Sequence, residues 1–319
     1  MCTIKKMGIA MVALMIVCSY QQAQAQTSND AIMMNKGQFC NGITYSYSQW
    51  TDYWEGKLKR NNQNMGMVTT QSLTYMPNYG ISNNLNVMAG VPYVWTHASA
   101  GTLHGMSGFQ DLSLDVKWKP LSTRIGPGKF SLFLVGGFST PLSNYSVDFL
   151  PMSIGLGTTN LMGRVIINYG VGIFFFRASG AYVWRSNTKL DRTAYYTTTL
   201  HLTNEVEMPD VANFNGSLGI HKKYLIAEAM VDYMKTLGGF DIRRNDMPFP
   251  SNRMISTDVA VHVKYTLPFF THVSLDGTAS YVVDGRNVGQ ATSFMIGAFY
   301  VFDLFKKGNV LPQSIPSNR

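Results

Sequence analysis

The residues best placed to do chemistry are two histidines and two aspartates in the C-terminal third of the chain. Asp258, His262, His272 and Asp276 fall on two consecutive alternating segments, at a spacing that turns all four side chains to one face. Gathered together, imidazoles and carboxylates could hold a metal ion or exchange a proton. Polar pairing between neighbouring strands is the plainer reading of the same residues. A second grouping, His104-Gly105-Met106-Ser107-Gly108, sets a histidine near a serine, as a hydrolase would need. It lies in a glycine-rich stretch that reads as a flexible connection. The sequence has no G-x-S-x-G pattern, Walker-type loop or dinucleotide fingerprint. Asp241-Ile242-Arg243-Arg244-Asn245-Asp246 reads as a solvated loop tip. We therefore assign no catalytic residue, no cofactor and no metal, and do not expect an enzyme.

The elements that carry these residues are strands of period two. Leu112, Leu114, Val116 and Trp118 alternate with Ser113, Asp115, Lys117 and Lys119. Val259, Val261, Val263 and Tyr265 alternate with Asp258, Ala260, His262 and Lys264. Val273, Leu275, Ala279 and Tyr281 do the same against His272, Ser274, Asp276, Thr278 and Ser280. Each segment thus has one apolar and one polar face.

Twelve such strands are predicted, near 39–50, 65–76, 85–95, 109–119, 129–139, 158–168, 172–185, 211–221, 224–235, 253–266, 272–283 and 290–302. Most run ten residues or more, against ~5–6 in soluble sheets, which suits a tilted membrane crossing. Odd-numbered links (51–64, 96–108, 140–157, 186–210, 236–252) are mostly long, and even-numbered links (77–84, 120–128, 169–171, 222–223, 267–271) are shorter. The last odd link, 284–289, is short and breaks the trend. Long loops at one end and short turns at the other are the habit of outer-membrane barrels. The predicted fold is an all-β, transmembrane, antiparallel up-and-down barrel over 39–305. A soluble β-sandwich would share the alternation but not the rest.

Composition agrees. Only 14% of residues are charged, against ~25% in ordinary soluble domains, while aromatics are plentiful at 18 Phe, 17 Tyr and 5 Trp. Tyr93, Trp95, Tyr182, Trp184 and Tyr281 fall near one set of strand ends, and Trp118, Tyr265, Phe299, Tyr300 and Phe302 near the other, as interfacial girdles would. The modest positive charge is not clustered into a basic tract, so no nucleic-acid partner is expected.

The ends read as an address and a tail. Lys5 and Lys6 precede an apolar run from Met7 to Val17, and Ala23-Gln24-Ala25 is a small-x-small cleavage site, so residues 1–25 read as a cleaved signal peptide and the outer membrane as the destination. A lipoprotein signal cut before Cys18 is the alternative, disfavoured by the bulky Val17. Cleavage would lower the formal charge from +8 to +6 and leave Cys40 as the sole cysteine, which excludes an internal disulfide. Residues 26–38 could fold into the bore, and 306–319 reads as a disordered tail.

If the apolar faces meet lipid, the polar faces line a lumen. The predicted lining is Asp115, Lys117, Lys119, Arg164, Arg177, Arg185, Glu228, Asp232, Asp258, His262, Lys264, His272 and Asp276. These groups could line a wet path for a small solute, or pair across the bore and fill it. Twelve strands fall between eight, which side chains fill, and sixteen, which leave a channel.

One stretch carries a resemblance. Tyr79-Gly80-Ile81-Ser82-Asn83-Asn84-Leu85, Val87, and Gly90-Val91-Pro92-Tyr93-Val94 look like the turn and strand of a known barrel family. Gly108-Phe109-Gln110-Asp111-Leu112-Ser113-Leu114-Asp115-Val116-Lys117-Trp118 and Gly136-Gly137-Phe138-Ser139-Thr140-Pro141 extend the match. Together they resemble the outer-membrane channels of the phenol-degradation MetA pathway, most legibly over 79–141. The resemblance implies outer-membrane passage of small molecules, hydrophobic or aromatic ones among them, and brings no catalytic residues. Gly80 and the two asparagines suit a tight turn, and Pro92 suits a kink or bulge near the rim. The expected partners are outer-membrane lipid and an unnamed small solute, and the oligomeric state is left open.

Overall fold

A computed structural model of the chain describes residues 27–244 and 246–304. The segments read as signal peptide and tail lie outside the described residues. The barrel strands are β1 (Gln38–Trp50), β2 (Val68–Ser82), β3 (Leu85–Ala98), β4 (Asp111–Ile125), β5 (Gly128–Pro141) and β6 (Asn160–Val171). They continue as β7 (Phe174–Arg185), β8 (Val211–His221), β9 (Leu225–Thr236), β10 (Ile255–Thr266), β11 (Val273–Arg286) and β12 (Thr292–Asp303). Each pairs antiparallel with its chain neighbours. The ring closes where β1 meets β12, from Gln38↔Asp303 to Gln49↔Thr292. Closure leaves no sheet edge, which a lipid environment requires.

The alternation read from sequence sets the two faces. On β10 the outward Val259, Val261 and Val263 are exposed, while the inward Ala260 and Lys264 are buried. Leu114, Val116, Leu218, Val231, Phe294 and Ile296 extend the exposed apolar belt around the barrel. A belt of large apolar side chains facing outward on a closed barrel is stable only against hydrocarbon. The fold is a transmembrane β-barrel of twelve strands.

Two details differ from the sequence reading. β2 and β4 run on to Ser82 and Ile125, so the links expected at 77–84 and 120–128 shrink to tight turns at 83–84 and 126–127. Gly80 therefore lies inside a strand rather than in the turn. A Cβ there would overlap the Asn35 carbonyl, so the glycine admits the N-terminal segment. Phe299 also departs from the expected girdle. It is 3% exposed and packs inward with Met34, Cys40 and Val301. Near Pro92 the partner of β3 changes from β4 (Gly90↔Ser113) to the short strand Ser107–Phe109 (Tyr93↔Phe109) with the register one residue out, a bulge at the rim.

The long connections lie at the end away from the termini and pack against one another. Val147, Leu190, Tyr195, Val206 and Met208 form one buried cluster, and Met65, Val68 and Met152 another. The short link after β11 is the keystone of a third contact. Asn287 adopts φ 54° in the left-handed region that asparagine tolerates, and is buried. Its Oδ1 accepts from Gly56 N (2.7 Å) and Ile242 N (3.1 Å), and its Nδ2 donates to Asp241 Oδ1 (2.8 Å) and the Arg253 carbonyl (2.6 Å). One side chain thus ties three loops. Asn287→Ala removes all four bonds and strains the backbone, an expected loss of roughly 2–4 kcal/mol. Cleavage by protease within 51–67 and 237–254 should rise sharply while the barrel strands keep their protection.

Asp241 completes this lock, bonded by Arg286 at 2.7 and 2.5 Å. The guanidinium hydrogen-bonded to it holds its carboxyl down at about 2. Because the folded value lies below the ordinary 3.8, the contribution is full above pH 3.8 and is lost as pH falls through about 2. Protection factors of the loop amides, taken relative to their intrinsic exchange at each pH, should therefore be flat from neutral pH to about 4 and fall only below that.

Candidate functional site

The interior of the barrel near the termini is occupied. The segment from Thr27 to Gly37 enters the bore and is held by polar and apolar anchors. Lys117, on the inner face of β4, is fully buried at 0% exposure. Its ammonium donates to the Thr27 carbonyl (2.6 Å), the Asp30 carbonyl (2.8 Å) and Asp30 Oδ1 (2.8 Å). Ser179 Oγ donates to Asn29 Oδ1 at 2.9 Å. Met34 is buried against Cys40, Phe299 and Val301, and Ala31 and Met33 pack on Phe133, Val135 and Ile166. Cys40 is a buried packing residue.

A second polar array crosses the inner wall from β7 to β11. Arg177 donates to Glu228 at 2.5 Å, Glu228 meets His262 Nδ1 at 2.8 Å, and His262 Nε2 meets Asp276 at 2.8 Å. Register explains the chain: Glu228 lies directly opposite His262, and Gly219 stands opposite Glu228. A Cβ at Gly219 would press on Glu228 and Phe175, so the glycine makes the space. Both His262 nitrogens face carboxylate oxygens, an arrangement satisfied by a ring that donates from each. Buried charges must be paired, and here they are.

The remaining predicted residues take separate positions. Lys264 is buried over the Phe299 ring, 5.9 Å from its centroid. Asp232 accepts from Asn215 at 2.7 Å, and Asp258 accepts from Ser256 at 3.1 Å. Asp115, Arg164, Lys119 and Arg185 are partly exposed. Gly137 leaves room for Asp115, whose Oδ1 a Cβ would meet at 2.5 Å. Arg185 donates its backbone N–H to Asp210 at 3.1 Å.

The cluster anticipated from Asp258, His262, His272 and Asp276 does not assemble. His262 and Asp276 touch, but His272 lies in the turn before β11 and donates Nδ1–H to the Val301 carbonyl at 2.9 Å. Asp258 is held by Ser256. Among the described residues no group of His, Cys, Asp and Glu is arranged to hold a metal. The sequence reading also missed Asp30, the partner of Lys117. An aspartate in a segment outside the strands has no periodicity to give it away.

Beside the N-terminal segment a cavity of about 490 Å³ opens toward the termini end. Phe175, Arg177, Ile226, Glu228 and His262 are among its lining. That size falls in the ~300–1,000 Å³ range of small-molecule pockets.

A closed ring with an apolar exterior and a charge-bearing interior defines the outer-membrane class of barrel, and the solved structures it resembles are of that class. An outer membrane channel of Pseudomonas putida F1 superposes with a TM-score of 0.70 at 13% identity, covering 88% of this chain and 100% of that one. That likeness shows the fold. The NanC porin and the KdgM porin match with a TM-score of 0.43 each at 9% identity, over 82% of this chain and 98% and 99% of theirs. No protein-family profile matches the chain. No curated protein matches it either.

Proposed function

We propose that this chain is an outer-membrane channel for passive passage of small molecules, with the N-terminal segment narrowing the bore. The observation that carries the reading is the cavity beside that segment, lined by charged and apolar side chains together, inside a closed barrel whose exterior is apolar. The inner-face charges from Asp115 to Asp276 are its proposed lining. The similarity of 79–141 to channels of the phenol-degradation MetA pathway supports small hydrophobic or aromatic solutes as the cargo. The barrel fold shared with the Pseudomonas putida F1 channel supports an outer-membrane location.

A second reading rests on the far end. There the loops have buried clusters of their own, and Met152 is 0% exposed, with its carbonyl accepting from Thr96 Oγ1 at 2.6 Å. A packed cap of that kind also suits a barrel that binds a partner and conducts nothing. Ion conductance of residues 26–319 refolded into a planar bilayer separates the two. Discrete openings are expected. A folded, silent barrel at both low and high salt would replace the channel with the partner-binding barrel.

A further inference from the structure

We infer that the cavity at the termini end binds a small organic anion, a carboxylate on an apolar body, and that Arg177 and Lys129 select for its charge. This rests on the channel reading for its biological sense but not for its chemistry.

Charge points to an anion. The turns and strand ends 79–86, 119–130, 169–175, 219–225 and 265–273 contain Lys119, Arg124, Lys129, Lys222 and Lys223 and no Asp or Glu, against which stands the exposed Asp303 at the end of β12. A mouth with an excess of one sign concentrates the opposite ion and speeds its entry. Lys129 is exposed and lines the cavity itself.

Arg177 adds an unused donor. It is 5% exposed and lines the cavity, and its Nη2 is spent on Glu228, yet its Nε is buried with no partner among the described residues. An unmet guanidinium N–H costs free energy, and a turn of the side chain toward the cavity would let an incoming carboxylate oxygen recover it through a charge-assisted bond. The facing carboxylates do not supply that acceptor. Asp30 is taken by Lys117, and both oxygens of Glu228 are taken, by Arg177 and His262. Asp276 is bound by His262 through one oxygen, and its other oxygen is unpartnered at the opposite end of the array.

The wall of the cavity suits an apolar body. Ile173, Phe174, Phe175, Ile226 and Met230 line the same space and offer an apolar surface beside the cations. An inorganic anion would leave that surface unused. A neutral apolar solute would leave the Arg177 donor unpaired. An amphipathic carboxylate uses both.

The test compares hexanoate with hexan-1-ol by calorimetric titration into the refolded barrel in detergent, with micelles alone subtracted. Hexanoate should bind and the alcohol should bind about tenfold or more weakly, the difference a charge-assisted contact makes. Lys129→Gln, at an exposed position, should weaken hexanoate several-fold, and Arg177→Gln should weaken it about tenfold or more. Lys57→Gln in a far-end loop should change nothing. Because Arg177→Gln disturbs the Glu228 pair, its fold is checked by heat-modified gel mobility, and Lys129→Gln carries the inference if that variant fails. Equal binding of acid and alcohol, or binding that Lys129→Gln leaves intact, would overturn the assignment. Conductance then separates the two readings. A barrel that binds hexanoate yet stays silent keeps this site and loses the channel. One that conducts but ignores hexanoate keeps the channel and loses this site.

Discussion

Lys117→Gln should release the N-terminal segment and raise the conductance of the barrel. On the alternating pattern alone this substitution is expected to leave folding into bilayers intact, since it exchanges one inward polar group for another. The structure adds a cost that the pattern does not contain. Lys117 is fully buried, and its ammonium satisfies two carbonyls and the Asp30 carboxylate at 2.6 to 2.8 Å. Glutamine is shorter, has two N–H donors and no charge, and leaves the half-buried Asp30 without its Lys117 counter-ion. Breaking one partner out of a buried pair costs about 3–5 kcal/mol, which moves a local equilibrium by two to three powers of ten.

That cost falls on the segment and not on the wall, because every ladder bond of β4 is backbone. The barrel should therefore still assemble. The Met34 anchor remains, so the segment should be loosened at 27–33 first. An Asn29→Cys label site, in a Cys40→Ser background, should turn from protected to reactive as conductance rises. Asp30→Asn should act in the same direction but less, since it keeps the carbonyl contacts and removes only the charge. Unchanged conductance together with unchanged labelling in Lys117→Gln would show that the apolar anchor alone holds the segment.

That added cost marks where sequence reading stops. All twelve strands were legible, because alternation, turn residues and strand length are local and repeat along the chain. Facing was legible for the same reason: Val261 and Lys264 differ in parity, and closure turns parity into outside and inside. Partners were not legible. Glu228 meets His262 only because the registers of β9 and β10 set them opposite, and that register is fixed across the long loop 237–254, whose path no period encodes. His272 had the right parity by sequence but lies outside β11, where a turn residue's side chain answers to the turn and not to the strand. Asp30 and Asn287 belong to no strand at all. Their roles come from segments of irregular backbone packing across the ends of the barrel, which no period encodes.

The strongest test of facing itself compares two equally exposed apolar residues. Val261 is 56% exposed at the middle of β10, between Ala229 and Ala279, and Leu58 is 57% exposed in the far-end hairpin 52–61. By exposure alone, Val261→Arg and Leu58→Arg should behave alike. They differ in what they are exposed to. An arginine on the lipid face near the midplane costs about 2–4 kcal/mol, falling toward zero at the interface. A loop arginine in water costs almost nothing. Val261→Arg should thus lower the urea midpoint of folding into liposomes and slow insertion, and Leu114→Arg on β4 should do the same. Leu58→Arg should match the unsubstituted barrel. In detergent micelles, where a chain can deform locally around a charge, the gap between Val261→Arg and Leu58→Arg should narrow. Equal folding of the two variants in liposomes would mean that the β10 face does not meet hydrocarbon, and the membrane reading of the apolar belt would fall with it.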